Sequence, residues 1–503
     1  MRMRLPVMLG LLLGAASSFM FGETTVPESN LVLLPVHNDP TVSFRIWFKV
    51  GSENDPAGKE GLAAITAAML TDGSTQKNSY EQILDKLFPL AASYSASSSV
   101  EMTVVLGRTH KDNLQEFYPL LMDAILSPGF RQNDLDRIKS QTLNTLENVL
   151  RYASDEELGK AVLYNTIFAG TPYGHITAGL IESVKSLTLD DIRSFYERYY
   201  TRDNVVIGLG GGYDESLVGR LRQELGKLPA GVPPVAAPPK PKPLSGFSVT
   251  LVEKDAASTA ISMGFPINVV RGQKDWYALA IANSWLGEHR NASSHLYQVI
   301  REERGLNYGD YSYIENFPGG GMRQMPPQNV CRRQQIFEIW IRPVPNEARH
   351  FALRAALGEF KHLVDQGMTE REFTLTRNFL KKYILHYAAT TTERLGYALD
   401  DRFYGIQGSH LTVFQSMVEK LTLADVNSAI KSHLQYGNMA IAIVTKDAAS
   451  FRDALVNNTP SPITYKTPKP AEILTKDKEI DTFPLNIKSG DVRIIPVGEL
   501  FVK

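Results

Sequence analysis

The stretch GSENDPAGKEGLAAITAAML, residues 51–70, connects a predicted strand to a predicted helix. The strand, residues 42–50, is rich in β-branched and aromatic residues, and proline and glycine after it predict a loop. Residues 61–72 are rich in alanine, the residue with the highest helix propensity, and are predicted to form a helix. A helix that carries a catalytic metal presents donor side chains three or four residues apart. This helix has Ala64, Ala67 and Ala68 at that spacing instead.

The residues around these alanines resemble the active-site segment of the pitrilysin/insulinase family of zinc metallopeptidases. In that family, a strand ending in Val-Gly-Ser leads through a Pro-Gly loop into Gly-Leu-Ala and then into the inverted zinc motif His-x-x-Glu-His. The matching residues here are Val50, Gly51, Ser52, Pro56, Gly58, Gly61, Leu62 and Ala63. By this resemblance, Ala64, Ala67 and Ala68 stand where the first His, the catalytic Glu and the second His belong. An alanine-rich helix unrelated to any zinc site is the alternative interpretation.

Alanine offers neither a lone pair to a metal ion nor a base to a water molecule, so we expect no metal site and no cofactor in this chain. The resemblance implies a third ligand, a Glu, within residues 141–147, where Glu147 is the only acid and is expected to be out of register. None of the ten histidines belongs to a His-x-x-Glu-His or His-Glu-x-x-His motif. If the chain works in a peptidase, zinc is expected in a partner subunit.

The composition excludes some classes of partner. The 503 residues carry 53 basic and 54 acidic side chains, which predicts neither nucleic acid nor an anionic membrane surface as a partner. Arg2 and Arg4 precede an apolar run, so residues 1–22 are interpreted as a secretory signal peptide, with an uncleaved anchor as the alternative. The single cysteine, Cys331, cannot form an intramolecular disulfide. A periplasmic or otherwise exported location is the prediction.

Two segments of similar pattern indicate an internal duplication. Leu-Thr-Leu at residues 187–189 precedes a predicted helix and a strand that begins after Asn204, and Leu-Thr-Leu at residues 421–423 precedes a second such pair after Asn438. The offsets, 421 − 187 and 438 − 204, are both 234 residues. The threonine of each segment is a predicted helix N-cap, with acidic residues in the first turn.

A proline-rich segment, residues 229–245, separates the two copies and is predicted to be an extended linker. An N-terminal peptidase-like domain with the degenerate zinc motif is predicted over residues 28–228, and a C-terminal peptidase-like domain over residues 246–459. Residues 460–503 are a predicted tail that runs back over the domains as an extended arm. Strands alternate with long helices such as residues 133–152. This alternation indicates an α+β fold of two homologous α/β domains, each a mixed sheet with helices packed on one face.

The C-terminal domain carries the second part of the resemblance, in SHLYQVIREERGLNY, residues 294–308. The family has an Arg followed seven residues later by a Tyr around a Gly-Leu turn, and Arg301 and Tyr308 keep that spacing. The pattern predicts a helix that Gly305 ends and a strand from Leu306 that carries the tyrosine. The resemblance implies that the pair closes over the substrate from the domain opposite the zinc, where its donors stabilise an oxyanion. Helix capping and strand packing are the alternative roles.

Three functions are consistent with these residues. The leading prediction is a zinc-less, non-catalytic subunit of a heterodimeric pitrilysin-type metallopeptidase, similar to mitochondrial processing peptidase. Such a subunit contributes Arg301, Tyr308 and half of the peptide-binding chamber to a zinc-bearing paralogous partner that cleaves peptides or unfolded segments. The alternative is a stand-alone periplasmic peptide-binding or scaffold pseudo-peptidase that holds peptides by strand addition. A hydrolase with an unrecognised site has no G-x-S-x-G or similar motif in its favour.

Overall fold

A computed structural model of the protein describes residues 25–503, so the predicted signal peptide, residues 1–22, lies outside the described part of the chain. Two mixed sheets, one in each half of the chain, are surrounded by helices. This arrangement confirms the predicted α+β fold of two homologous domains. In residues 25–503, no helix is both long enough and apolar enough to cross a bilayer.

The N-terminal half contains five strands: β1 Leu31–Pro35, β2 Thr41–Phe48, β3 Ser93–Ser98, β4 Thr103–His110 and β5 Val205–Gly211. Their order in the sheet is β1-β5-β2-β4-β3, in which β1 and β5 are parallel and the other neighbours antiparallel. The helices of this half are α1 Leu62–Thr71, α2 Tyr80–Leu87, α3 Leu114–Leu126, α4 Gln132–Asn144, α5 Asp155–Ile167, α6 Ile181–Ser186, α7 Leu189–Tyr199 and α8 Glu215–Leu225. The helix predicted over residues 133–152 is α4 followed by a π-helix, Thr145–Ala153.

The C-terminal half contains β6 Phe247–Glu253, β7 Ser258–Ile267, β8 Asp310–Tyr313, β9 Gln335–Pro345, β10 Met439–Thr445 and β11 Val492–Pro496. Their order is β11-β6-β10-β7-β9-β8. The helices are α9 Lys274–Gly287, α10 Arg349–Gln366, α11 Glu370–Tyr383, α12 Thr391–Tyr404, α13 His410–Lys420, α14 Leu423–His433, α15 Ala448–Val456 and α16 Ala471–Asp481.

The two sheets confirm the internal duplication. The second sheet has the same strand order and directions as the first, with β6, β10, β7, β9 and β8 in the places of β1, β5, β2, β4 and β3. Thr188 and Thr422 cap α7 and α14 as predicted, and each hydroxyl accepts a hydrogen bond from the amide three residues later at 3.2 Å. Residues 229–245, between the copies, contain no helix or strand.

One helix of each half also packs on the sheet of the other half. Helix α5 packs on β7 and β10, where Leu158 and Leu163 join Val444 in one buried cluster. Helix α12 packs on β1, β2 and β5, where Leu395 and Leu399 join another. Both faces of each sheet are therefore covered, which corrects the prediction of helices on one face, because a helix from the other half packs on the second face. Strands β5 and β10 are buried along their whole length. Separation of the halves would expose both clusters to water, so the chain is held as one unit.

Polar contacts reinforce the junction between the halves. Glu156 of α5 pairs with Arg342 at 2.8 Å, and the Tyr164 hydroxyl donates to Glu338 at 2.8 Å. Lys160, on the same helix, is buried with its ammonium 4.3 Å from the centre of the Trp340 ring. These polar groups keep their hydrogen-bonding and ionic partners only while the halves remain in contact.

Residues 460–503 were predicted to be an extended arm, but they contain helix α16 and are not extended throughout. Asp477 of α16 pairs with the buried Arg304 at 2.8 Å, and β11 adds to the sheet beside β6 in parallel. Leu500 and Phe501 are buried in the same cluster as α5. The backbone carbonyl of Phe501 accepts a hydrogen bond from the amide of Ile181 in the N-terminal half at 2.8 Å. The tail therefore links both halves.

Candidate functional site

The loop before α1 keeps a tight, fully bonded frame at the start of the degenerate zinc helix. The Asp55 carboxylate accepts hydrogen bonds from the amides of Gly61 and Ala63, both at 2.7 Å. Gly61 has φ +101° and Gly179 φ +93°, and a Cβ on Gly179 would lie 2.2 Å from the carbonyl oxygen of residue 60. Both glycines are therefore required, because the two loops meet backbone to backbone.

His175 completes this frame. Its Nε2 lies 3.1 Å from the Asp55 carboxylate, which is inaccessible to solvent. Burial raises the pKa of Asp55, while the hydrogen bonds from His175 and the two amides oppose that rise. The pair was not predicted from the sequence, in which the available signal was an acid just ahead of a helix N-terminus.

The three positions of the zinc motif lie on α1 as expected. Ala64 and Ala68 are half-buried, one turn apart, and Ala67 is 2% exposed. The helix packs against β3, the outer strand of its sheet. None of the three methyl groups can bind a metal ion or accept a proton.

Glu147, the only acid expected near the third ligand position, is engaged elsewhere. It lies on the π-helix after α4, its side chain is 40% exposed, and it pairs with Lys185 at 3.5 Å. In residues 25–503, no group of three or more His, Cys, Asp or Glu side chains is arranged to hold a metal ion. The residues present do not fit the zinc of the resembling family, so no catalytic step in this chain is assigned to a metal.

Arg301 and Tyr308 lie next to each other at the surface of the C-terminal half. The Arg301 guanidinium is 5.8 Å from the centre of the Tyr308 ring, within the range of a cation–π contact. The Tyr308 residue is 78% exposed and the Arg301 side chain is 34% exposed. The only ion pair of Arg301 in the described chain is a long one with Glu302, at 3.6 Å. Most donors of the pair therefore remain available.

The backbone around this pair differs from the prediction. Arg301 lies on a π-helix, Tyr297–Glu302, and Gly305 ends the helical segment with φ +69° as predicted. Tyr308 does not lie on a strand, because Gly309 has φ +155° and β8 begins only at Asp310. The tyrosine therefore projects from a bend ahead of the strand. Short π-helices frequently occur at functional sites, and Glu147 also lies on a π-helix, Thr145–Ala153.

The chain does not bring its two candidate segments together. Helix α1 packs on β3, α4 and α7 of its own half. Within residues 25–503, no hydrogen bond, ion pair or ring contact joins the side chains of Arg301 or Tyr308 to the N-terminal half. In residues 25–503, the two candidate segments therefore have separate surroundings.

One ion network at the junction was missed by the sequence analysis. Arg333 of the C-terminal half pairs with Glu101 at 2.5 Å and with Glu53 at 2.9 Å. Burial and the neighbouring Glu101 charge raise the pKa of Glu53 to about 7, against the opposing effect of Arg333. Glu53 belongs to the loop that precedes α1, so this network fixes the degenerate motif to the other half. The residues are 232 and 280 positions apart, and no local pattern pairs them.

Comparison with known proteins gives the same assignment in both halves. The model of the insulinase family, peptidase family M16, matches residues 31–179, and the model of the peptidase M16 inactive domain matches residues 186–380. The chain is 24% identical over 450 residues to the non-peptidase homolog YmxG of Helicobacter pylori, across 86% of this chain and 97% of that protein.

Two solved structures are similar in fold. A peptidase M16 inactive domain from Pseudomonas fluorescens superposes with a TM-score of 0.72 at 23% identity, covering 83% of this chain and 95% of that chain. A chain of complex III2 from Candida albicans superposes with a TM-score of 0.65 at 16% identity, covering 82% and 93%. From the family matches and the site geometry together, the chain belongs to the insulinase family, M16, as a member whose zinc-motif positions hold alanine.

Proposed function

We propose that this chain is a zinc-less, non-catalytic subunit of a heterodimeric insulinase-type peptidase. Its paralogous partner supplies the zinc and the general base, and this chain supplies Arg301, Tyr308 and half of the peptide chamber. The observation that carries the proposal is the exposed Arg301–Tyr308 pair, whose donors make only the long ion pair of Arg301 with Glu302 within residues 25–503.

The chemistry of the pair suits an oxyanion. A guanidinium and a phenol both donate hydrogen bonds, and donors aimed at a developing negative charge lower the barrier to peptide hydrolysis. Arg301 makes one long ion pair, so its remaining N–H groups are free to turn toward a substrate carbonyl. These donors need no metal in the same chain, which is consistent with the alanines on α1.

The rigidity of the chain favours a second subunit over a hinge. The exchanged helices α5 and α12 and the Arg333 network hold the halves together. A substrate chamber that opens between the halves would have to break these contacts. A chamber formed against another chain leaves them intact.

The similar proteins support two parts of the proposal. The Helicobacter pylori relative is called a non-peptidase homolog, which agrees with a non-catalytic role here. The similar chain of complex III2 belongs to a multi-subunit assembly, which agrees with a role as a subunit. We further propose that the protein is exported to the periplasm through residues 1–22.

The proposal is tested with the chain and the paralogue that co-purifies with it. Turnover of a quenched fluorescent peptide is measured for the complex with Arg301→Ala and with Tyr308→Phe. Loss of one oxyanion donor is expected to lower kcat by about 10²–10³-fold. Arg371→Ala, an exposed arginine of the same half, is the matched control and should leave kcat unchanged.

Assembly is measured in parallel by sedimentation, because the half-site role requires that both variants still bind the partner. Normal turnover in both Arg301→Ala and Tyr308→Phe would refute it. Loss of the complex in either variant would assign that residue to the interface and also refute it.

A second candidate function is favoured by the free edge of β3. This strand is the outer strand of its sheet, lies beside α1, and alternates between exposed and less exposed residues. Its unpaired backbone groups can take an extended peptide as an added strand. A stand-alone peptide-binding scaffold would therefore bind peptides without cleavage and without a paralogue. Isolation of the native protein as a single species that binds peptides would favour this alternative.

A further inference from the structure

A small aromatic cavity in the C-terminal half holds an acid that no cation within residues 25–503 neutralises. The cavity measures about 60 Å³, and none of its lining residues belongs to residues 294–308. Its aromatic walls are Trp276, Tyr313, Phe317, Tyr387 and Phe414. We propose that this cavity binds a primary ammonium group, with the carboxylate of Glu288 as its counter-ion. This inference is independent of the proposed peptidase role.

Of the two acids that line the cavity in the described part of the chain, Glu315 has a cationic partner and Glu288 has none. The residue is 8% exposed, and no salt bridge to it occurs in residues 25–503. Arg271 lines the same cavity, but it is already paired with Glu315 at 2.7 Å and with Asp400 at 3.1 Å. Two carboxylates thus neutralise that guanidinium, and the charge of Glu288 is left over. The Glu288 carboxyl receives hydrogen bonds from the Ser284 side chain and the His289 amide, but these are neutral donors, so a cation from outside the chain would stabilise its ionised form.

The aromatic walls are suited to a cation, because the faces of aromatic rings carry negative charge density. Two of these wall residues, Tyr313 and Phe317, already contact an ammonium group of this chain, that of Lys160. The Lys160 ammonium lies 4.7 Å from the centre of the Tyr313 ring and donates to the carbonyl of Phe317 at 2.8 Å. Tyr313 and Phe317 therefore already stabilise one primary ammonium, and they also line the cavity.

The two histidines in the wall do not supply the missing positive charge. His289 Nε2 donates to the carbonyl of Arg323 at 2.9 Å, so its Nδ1 accepts from the hydroxyl of Tyr313 at 2.8 Å in the neutral ring. Burial lowers the pKa of His289 to about 4, and burial also holds the pKa of His410 well below its usual value. Both rings are neutral at physiological pH.

The cavity also contains a second hydrogen-bond acceptor and an opening to solvent. Asn283 Oδ1 is buried without a hydrogen-bond partner, so it can accept an ammonium N–H beside Glu288. Asn283, Pro326 and Tyr387 are half-buried, which identifies the side that solvent reaches. A volume of about 60 Å³ admits an ammonium head and a short alkyl stem.

Burial raises the pKa of Glu288 to about 7, so the empty site is partly protonated at neutral pH. Binding of a cation requires the ionised form, and affinity should therefore increase with pH through 7. The other titratable groups near Glu288 are Arg271, Glu315, His289, His410, Tyr313, Tyr383 and Tyr387. Arg271 is paired with Glu315, the histidines are neutral, and the pKa values of the tyrosines are raised, so Glu288 is the lining group that titrates near neutrality. Burial also raises the pKa of Asp401 to about 7, but Asp401 accepts a hydrogen bond from the amide of His410 and does not line the cavity.

The experiment is calorimetric titration of the full chain with n-butylammonium chloride at pH 8. Butan-1-ol is the neutral analogue, and sodium chloride controls for ionic strength. The ammonium is expected to bind at least about tenfold more tightly than the alcohol, and Glu288→Gln should abolish that difference. Glu347→Gln, an exposed acid of the same half, should leave it unchanged. Below pH 7, wild-type affinity should fall about tenfold per pH unit, whereas Glu288→Gln should show no pH dependence.

Two further arms identify the source of the ammonium. Binding of Nα-acetyl-lysine amide would assign the site to a lysine side chain of a peptide, whereas binding of n-butylammonium alone would assign it to free amines. Equal affinity for butylammonium and butanol would overturn the proposal, as would equal binding by wild type and Glu288→Gln. The proposal would also be overturned if none of the three probes (n-butylammonium, butan-1-ol and Nα-acetyl-lysine amide) bound at about 10 mM.

Discussion

Glu288→Gln should make the protein more stable at alkaline pH and leave its stability at acidic pH unchanged. The pKa of Glu288 in the folded protein is about 7, against 4.5 for an unburied carboxyl, because burial disfavours the charged form. A carboxyl of this kind contributes its full stabilisation below pH 4.5 and loses it as pH rises through 7. A difference of 2.5 pKa units at about 1.4 kcal/mol each corresponds to ~3 kcal/mol. Glutamine resembles the protonated side chain and has no charge to lose.

The assay is urea unfolding, followed by tryptophan fluorescence, at pH values from 5 to 9 in dialysed protein without added amines. The free energy of unfolding of Glu288→Gln should exceed that of wild type by less than about 1 kcal/mol at pH 5 and by ~3 kcal/mol at pH 9. The neighbouring histidines titrate in both proteins, so their effect cancels in the difference. Glu347→Gln should match wild type throughout. A difference between Glu288→Gln and wild type that stays constant over this range would refute a buried, uncompensated carboxyl.

Three further predictions concern the rest of the chain. Leu399→Ala should lower the free energy of unfolding by about 2–5 kcal/mol, and hydrogen exchange should show reduced protection in β5 of the opposite half, because Leu399 is fully buried there. Truncation after Asp491 should lower the thermal midpoint in calorimetry, since it removes β11 and the buried end of the tail; an unchanged midpoint would contradict the role of the tail as a link. The triple change Ala64→His, Ala67→Glu and Ala68→His should still yield no stoichiometric zinc by elemental analysis, because Glu147 is paired with Lys185 outside the motif.

The features predicted correctly from the sequence are those that local chemistry determines. Thr188 and Thr422 could be assigned as caps because a threonine three residues before an aspartate satisfies the first helical amides. The offset of 234 residues then implied two copies of one topology. The vacancy at the zinc motif followed from the side chains alone, since alanine has no donor atoms.

The features that were missed depend on the three-dimensional arrangement. The apolar residues of α5, such as Leu158, predict burial but do not say which sheet covers them, and the helix packs on the sheet of the other half. Tyr308 was expected on a strand that starts at Leu306, directly after Gly305 ends the helix. The strand begins later because Gly309 has a positive φ, and a single glycine in the sequence does not predict this conformation. The lone charge of Glu288 depends on the prior pairing of Arg271 with Glu315.

The most direct test of the central claim is the zinc content and the chelator-sensitive peptidase activity of the purified chain, measured alone and in complex with its native paralogue. We predict no bound zinc and no cleavage for the chain alone, and one zinc per heterodimer with cleavage by the complex. Stoichiometric zinc in the isolated chain, together with peptidase activity that a chelator removes, would contradict the account.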